Sequence, residues 1–231
     1  MGRAMTLFHN TPMIPFIDIH THHGSSKAGV IAVRNWDFDA MPVGLSSIGV
    51  HPWQSVSINT DVDFIGKSMK EVEIKCRMPH VVMIGETGLD ALRGADMNTQ
   101  KQLFLKHIAL SEQLGKPLII HCVKAVDELL AIHKQQRPTQ QWIIHGYRKN
   151  AQLAKQILQQ GIALSFGPHS DAEAMKAAYE ANALWLETDD SEANIVDVYQ
   201  KASELLSVSV DELKLNIYQR AVQLSSSFRL E

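Results

Sequence analysis

Short, continuous apolar runs punctuate this chain and outline its architecture. They fall at residues 14–19, 29–33, 46–50, 81–84, 118–120, 142–144, 162–166 and 184–186. Apolar residues do not alternate with polar ones in these runs, so they predict strands buried on both faces, as in a parallel sheet. Elsewhere the period changes to 3.6. Ile195, Val198, Tyr199, Ala202, Leu205 and Leu206 share one helical face, and Ile65, Met69, Val72 and Cys76 share another. Thr99 with Gln102, and Ser209 with Glu212, read as capping boxes at helix starts. Gly115 before Pro117, and Gly161 after Ile157-Leu158, read as helix stops. Strand and helix in alternation predict an α/β fold, and eight strands close it as a (β/α)8 TIM-type barrel. One stretch breaks the rhythm. Between His22 and Gly49, segments 25–28 and 37–44 are too short for full helices, so one or two outer helices are expected to be missing near residues 23–48.

Composition narrows the class. The chain has 231 residues, 45% hydrophobic and 20% charged, which excludes disorder and supports a sizeable core. No linker or composition shift divides it, so residues 1–231 read as a single barrel domain. No apolar run approaches the roughly 18 residues that span a bilayer, and no leader-like segment opens the chain, so no membrane role is expected. Two cysteines, Cys76 and Cys122, build no disulfide framework and point to a reducing, cytoplasmic setting. The net charge of −3 gives no global field for nucleic acid, so any phosphate grip has to be local.

Eleven histidines call for an explanation. The first run ends Asp18-Ile19-His20-Thr21-His22, where strand alternation puts His20 and His22 on one face, able to meet one metal ion. Later runs end in His51-Pro52-Trp53, Gly85-Glu86-Thr87-Gly88-Leu89-Asp90, His121-Cys122, His145-Gly146 and Glu187-Thr188-Asp189. In a closed parallel barrel these ends converge on the rim where active sites sit. Any one of these histidines could be polar punctuation at a strand end. Together, His20, His22, Glu86, His121, His145 and Asp189 suit two divalent ions bridged by a carboxylate and a water, with borderline ions such as zinc or manganese favoured over calcium. The implied chemistry is hydrolysis. His9, His23, His80, His107, His133 and His169 lack this placement, and His107 and His133 fall in helical segments as surface or packing residues.

These motifs, in this order over about residues 14–190, resemble the TatD family of metal-dependent hydrolases within the amidohydrolase-like barrel superfamily. The resemblance implies that His20 and His22 hold one ion, that Glu86 bridges the pair, and that His121 and His145 hold the second. It also implies that Asp189 binds the first ion and orients or deprotonates the attacking water, with Asp189 and Glu86 the catalytic carboxylates. His51 is similar to the family's phosphate- or substrate-contacting histidine, although a turn-stabilising role before Pro52 fits it too. Asp90 would orient a ligand. The implied cofactors are two divalent ions (zinc, manganese, magnesium or similar).

Relatives of this kind are mainly phosphodiesterases acting on DNA. This chain departs from the pattern: Lys124 stands where an Arg is usual, His145-Gly146-Tyr147 replaces an aromatic-x-Gly, and acidic Asp190-Ser191-Glu192 follows Asp189. A lysine pairs phosphate without the guanidinium fork. Basic residues near the rim are Arg34, Arg93, Lys124, Arg148 and Lys149; Lys124 and Arg148 are the substrate-binding candidates beside His51, with Arg148-Lys149 at a helix start. Trp36, Trp53 and Tyr147 follow strand ends, where base stacking and rim packing fit equally well. The leading expectation is a dinuclear-metal phosphodiesterase or deoxyribonuclease of TatD type. Alternatives are a hydrolase of a small-molecule ester, phosphate ester or amide, and a non-catalytic barrel used as a binding module. The partner is accordingly DNA or a small phosphate-containing substrate, and a second copy could cover the flank near residues 23–48 as a homo-oligomer.

Overall fold

Eight parallel strands lie side by side in sequence order. The computed structural model describes residues 13–23, 27–37, 44–59, 61 and 63–230. The strands are β1 (Phe16–Thr21), β2 (Val30–Asn35), β3 (Ser46–Ile48), β4 (Val81–Asp90), β5 (Leu118–Val123), β6 (Trp142–Ile144), β7 (Ala163–Phe166) and β8 (Leu184–Leu186). Closure from β8 back to β1 is made at the rim. An isolated parallel bridge pairs Thr21 with Asp189, through His22 N–H to Asp189 O and Asp189 N–H to His20 O, both 3.0 Å.

Helices wrap the strands: α1 (Phe64–Cys76), α2 (Met97–Leu114), α3 (Val126–Gln136), α4 (Ala151–Leu158), α5 (Ala172–Glu180), α6 (Ile195–Leu206) and α7 (Val210–Leu224). Short 3-10 helices occupy Pro52–Asn59 and Ser226–Phe228. This is the TIM-type barrel that the apolar runs predict. Among the described residues no helix lies between β1 and β3, as the short segments there suggest; parts of 25–28 and 37–44 lie outside the described residues. No helix among the described residues is long and apolar enough to cross a membrane.

The core follows from the runs. Ile17, Ile19, Ile84, Ile119, Ile143, Leu164 and Leu186 are all buried. On α6, Ile195, Val198, Tyr199 and Ala202 are buried as expected, but Leu205 is exposed, because the predicted stripe is wider than the face that meets the barrel. Ser209 caps α7 by accepting the Glu212 N–H, and Gly115 ends α2 in the left-handed conformation. The expected start at Thr99 is corrected. Asp96 caps α2, accepting the N–H groups of Asn98 and Thr99, so the helix starts one turn earlier and Thr99 lies inside it.

Two strands are longer than their apolar runs, and the extension carries chemistry. β4 continues through Gly85–Asp90 and β5 through His121–Val123, paired to each other beyond a register shift after Ile84. Gly88 makes this approach feasible: a Cβ there would overlap the carbonyl oxygen of His121. The sequence reads as a strand end where the apolar run stops, yet the ladder continues under polar side chains.

Candidate metal centre at the barrel rim

The six ligand candidates converge. Glu86, at the bend of β4, stands between two groups of imidazoles and is almost wholly buried. Its Oε1 lies 2.9 Å from His51 Nε2, 2.9 Å from His121 Nδ1 and 2.8 Å from His145 Nε2. Its Oε2 lies 3.5 Å from both His20 Nε2 and His22 Nε2, and those nitrogens lie 3.6 and 3.7 Å from Asp189 Oδ1. Burial alone would raise the Glu86 pKa, but the charge of His145 and hydrogen bonds from His121 and His145 outweigh it and hold the carboxyl well below its ordinary range. For His145 the balance is the mirror image: burial favours the neutral ring, yet the negative charges of Glu86 and Glu187 push its pKa well up.

These residues could hold cations. The groups His20–His22–Asp189, His20–Glu86–His145, His51–Glu86–His121 and His145–Glu187–Asp189 each bring three ligand atoms within 4.8 Å of one another. Ligands held at about 2.0–2.2 Å in tetrahedral geometry lie roughly 3.4 Å apart, too far for a hydrogen bond. The 3.5–3.7 Å separations around Oε2 match that spacing. His20 is fully buried and neither ring nitrogen has a hydrogen-bond partner, a costly state that a cation on Nε2 relieves. The donor set fits the borderline ions.

Supporting groups fix each ring. Asp90 Oδ2 lies 3.1 Å from His121 Nε2 and accepts the indole N–H of Trp53 at 2.6 Å. The ring of His121 is thereby held between two carboxylates, with Nε2 on Asp90 and Nδ1 turned to Glu86. His51 Nδ1 accepts the backbone N–H of Trp53 at 3.1 Å, so its proton sits on Nε2. That makes His51 a hydrogen-bond donor toward the site rather than a lone-pair ligand. Asp18 is buried beneath Asp189, accepting the Thr188 N–H at 3.0 Å and hydroxyl at 2.7 Å; burial pushes its carboxyl up to about 7 against the pull of those bonds. Asp189 itself takes a left-handed φ of 55°.

Three contributors were not selected from sequence. Asn35 Oδ1 accepts the Glu86 N–H at 3.0 Å. Its position at the end of β2 was the available signal. Fully buried Glu187 accepts the Gly146 N–H at 2.6 Å and stands 3.7 Å behind His145 Nδ1. Asp18 opens the His-x-His motif without announcing its bonds to Thr188. The remaining histidines pack elsewhere. His107 is buried, accepting the Val50 N–H on Nε2 at 3.0 Å. His133 packs on Trp142 and His80 on Trp36. His23 meets the Asp190 carbonyl, His169 is exposed, and His9 lies outside the described residues.

Two cavities open here. One of about 410 Å³ holds Glu86, His22, His51, His145 and Asp189, with Trp53 on its wall. The other, about 710 Å³, lies between the β5–α3 and β6–α4 loops and shares His121, His145 and Asp189 with the first. Lys124 and Arg148 line the second cavity and not the first. Arg148-Lys149 precede α4, whose cap is Asn150, rather than opening the helix as expected. Trp36 and Tyr147 are buried, so packing explains them, whereas Trp53 is 43% exposed.

Known proteins place this chain. An uncharacterized metal-dependent hydrolase of Buchnera aphidicola subsp. Baizongia pistaciae is 36% identical over 88 residues, covering 37% of this chain and 33% of the relative. A protein of Edwardsiella piscicida named 3'-5' ssDNA/RNA exonuclease TatD is 33% identical over 88 residues, 38% of this chain and 32% of that protein. The chain thus spans about a third of the length of these curated relatives. The crystal structure of the YjjV TatD homolog from Escherichia coli K12 superposes with a TM-score of 0.75 at 21% identity, covering 93% of this chain and 99% of that one, a likeness of fold. The family model described as TatD related DNase matches residues 38–225, and the chain belongs to that family.

Proposed function

We propose that this protein is a dinuclear-metal-dependent hydrolase of phosphodiester bonds, with a DNA strand as substrate. The observation that carries the reading is the single buried carboxylate of Glu86 facing imidazoles on both of its oxygens, with Asp189 beside one group. In this reading His20, His22 and Asp189 would hold one ion, His121 and His145 would hold the other, and Glu86 would serve both. Two such ions, when bound, lower the pKa of a water and stabilise charge on the attacking and leaving oxygens.

The chain's own groups do the rest. Asp189 Oδ2 is available to accept a proton from the attacking water, held in place by the bridge to Thr21 and by the Asp18–Thr188 bonds next to it. His51, with its proton on Nε2, donates to a non-bridging phosphate oxygen. Lys124 and Arg148 sit in the adjoining cavity, where they can meet a second phosphate along the strand. The Edwardsiella relative's name supports a nucleic-acid substrate.

A small-molecule ester or amide is the second reading. It is favoured by the 410 Å³ size of the central cavity and by Asp37 and Asp190 on its wall. The test is hydrolysis of a short single-stranded oligodeoxynucleotide with Mg²⁺, Mn²⁺ or Zn²⁺. Cleavage is expected to fall with added salt, and Asp189→Asn is expected to lower kcat by about 10²–10⁴-fold with the fold intact. No cleavage with any of these ions moves the assignment to the small-molecule reading.

A further inference from the structure

The central cavity has one exposed aromatic side chain on its wall, Trp53, which the rings of His51 and His121 meet at steep angles, 4.6 and 5.6 Å between centroids. Trp53 exposes 43% of its surface, yet it is held on three sides. Its indole N–H is tied to Asp90 Oδ2 at 2.6 Å, its backbone N–H to His51 Nδ1 at 3.1 Å, and the guanidinium carbon of Arg93 lies 4.6 Å from the ring centroid. The loop carrying Arg93 is itself sewn down. The buried side-chain amide of Gln100 donates to the carbonyls of Asp90, Arg93 and Ala95, and Ala95 N–H donates to Ser55 Oγ in the same 3-10 helix as Trp53. A Cβ at Gly94 would lie 2.5 Å from the Pro52 carbonyl oxygen, so loop and 3-10 helix pack flush.

An exposed indole fixed this firmly, with a cation stacked on it, offers a preformed flat surface at the edge of the Glu86 cluster. We infer that Trp53, backed by Arg93, is the seat for the nucleobase next to the scissile phosphate. The inference rests on the phosphodiesterase reading and deepens it. Stacking on a π-face accepts every base, so the seat selects single-stranded nucleic acid over a phosphate ester lacking a flat ring, without sequence preference.

Binding to the as-purified full chain tests this, using two nuclease-resistant phosphorothioate probes: a thymidine trinucleotide, and the same backbone with abasic tetrahydrofuran sugars. The base-bearing probe is expected to bind about tenfold tighter. Trp53→Ala should erase that difference by weakening the base-bearing probe alone. Trp53→Phe, which keeps a ring but loses the tie to Asp90, should retain the preference. Equal affinity of the two probes, binding of neither, a base preference surviving Trp53→Ala, or its loss in Trp53→Phe would each overturn the assignment. Hydrolysis separates the two readings. Cleavage of a natural oligonucleotide without base-dependent binding overturns only the seat, whereas base-dependent binding without cleavage overturns only the hydrolase.

Discussion

On one side of Glu86, three imidazole nitrogens lie 2.8–2.9 Å from Oε1, and two of those rings have carboxylates behind them, Asp90 at 3.1 Å from His121 and Glu187 at 3.7 Å from His145. On the other side, His20 and His22 stand 3.5 Å from Oε2 and 3.6–3.7 Å from Asp189, with no carboxylate bonded behind His20. The first half is closed by its own hydrogen bonds. The second is spaced for an ion between its ligands. Binding on the Oε1 side has to break existing hydrogen bonds, while binding on the Oε2 side satisfies groups that otherwise lack partners. If each half takes an ion as proposed, the Oε2 half is expected to load first, with Glu86 coupling the two.

The largest effect should come from the shared residue. Glu86→Gln removes the charge on which both halves depend, so turnover should vanish and metal analysis should find fewer than one ion per chain. Retention of both ions would break the coupling.

Acid should next separate a structural histidine from the site. His107, buried under the Val50–His51 turn, is pushed down to about 4 by burial. Its folded pKa is below the unfolded value near 6.5, so its contribution is intact above pH 6.5 and is lost as pH falls toward 4. Unfolding free energy should drop by about 3 kcal/mol over that window, an effect that His107→Gln should remove from denaturant titrations. A smaller effect isolates one half: Asp90→Asn should weaken the Oε1-side ion by about 10–100-fold, measured calorimetrically, and leave the Oε2-side ion unchanged.

In both halves the part that sequence reveals best is the ligands, because they stand at strand ends. His20, His22, His121, His145 and Asp189 each follow an apolar run, and parallel closure brings such ends together whatever their separation along the chain. The supports were harder to see, because they act through geometry that no spacing encodes. Glu187 and Asp189 are two residues apart in one motif; only the turn at Gly146 shows that the first backs His145 while the second faces His20. Asn35 reaches Glu86 from a strand whose apolar run stops at Val33. Trp36, Trp53 and Tyr147 look alike in sequence, and burial alone tells the exposed one from the packed ones. The Thr99–Gln102 spacing fits a capping box, yet the chain is already helical from Met97, because Asp96 accepts the N–H groups of Asn98 and Thr99.

The inequality of the two halves is tested most directly by calorimetric titration of metal-stripped protein with Zn²⁺ or Mn²⁺, for wild type and His22→Ala. The account predicts two steps of unequal affinity in the wild type, and loss of the tighter one in His22→Ala. A tight step that survives His22→Ala, or a single class of site in the wild type, would contradict it.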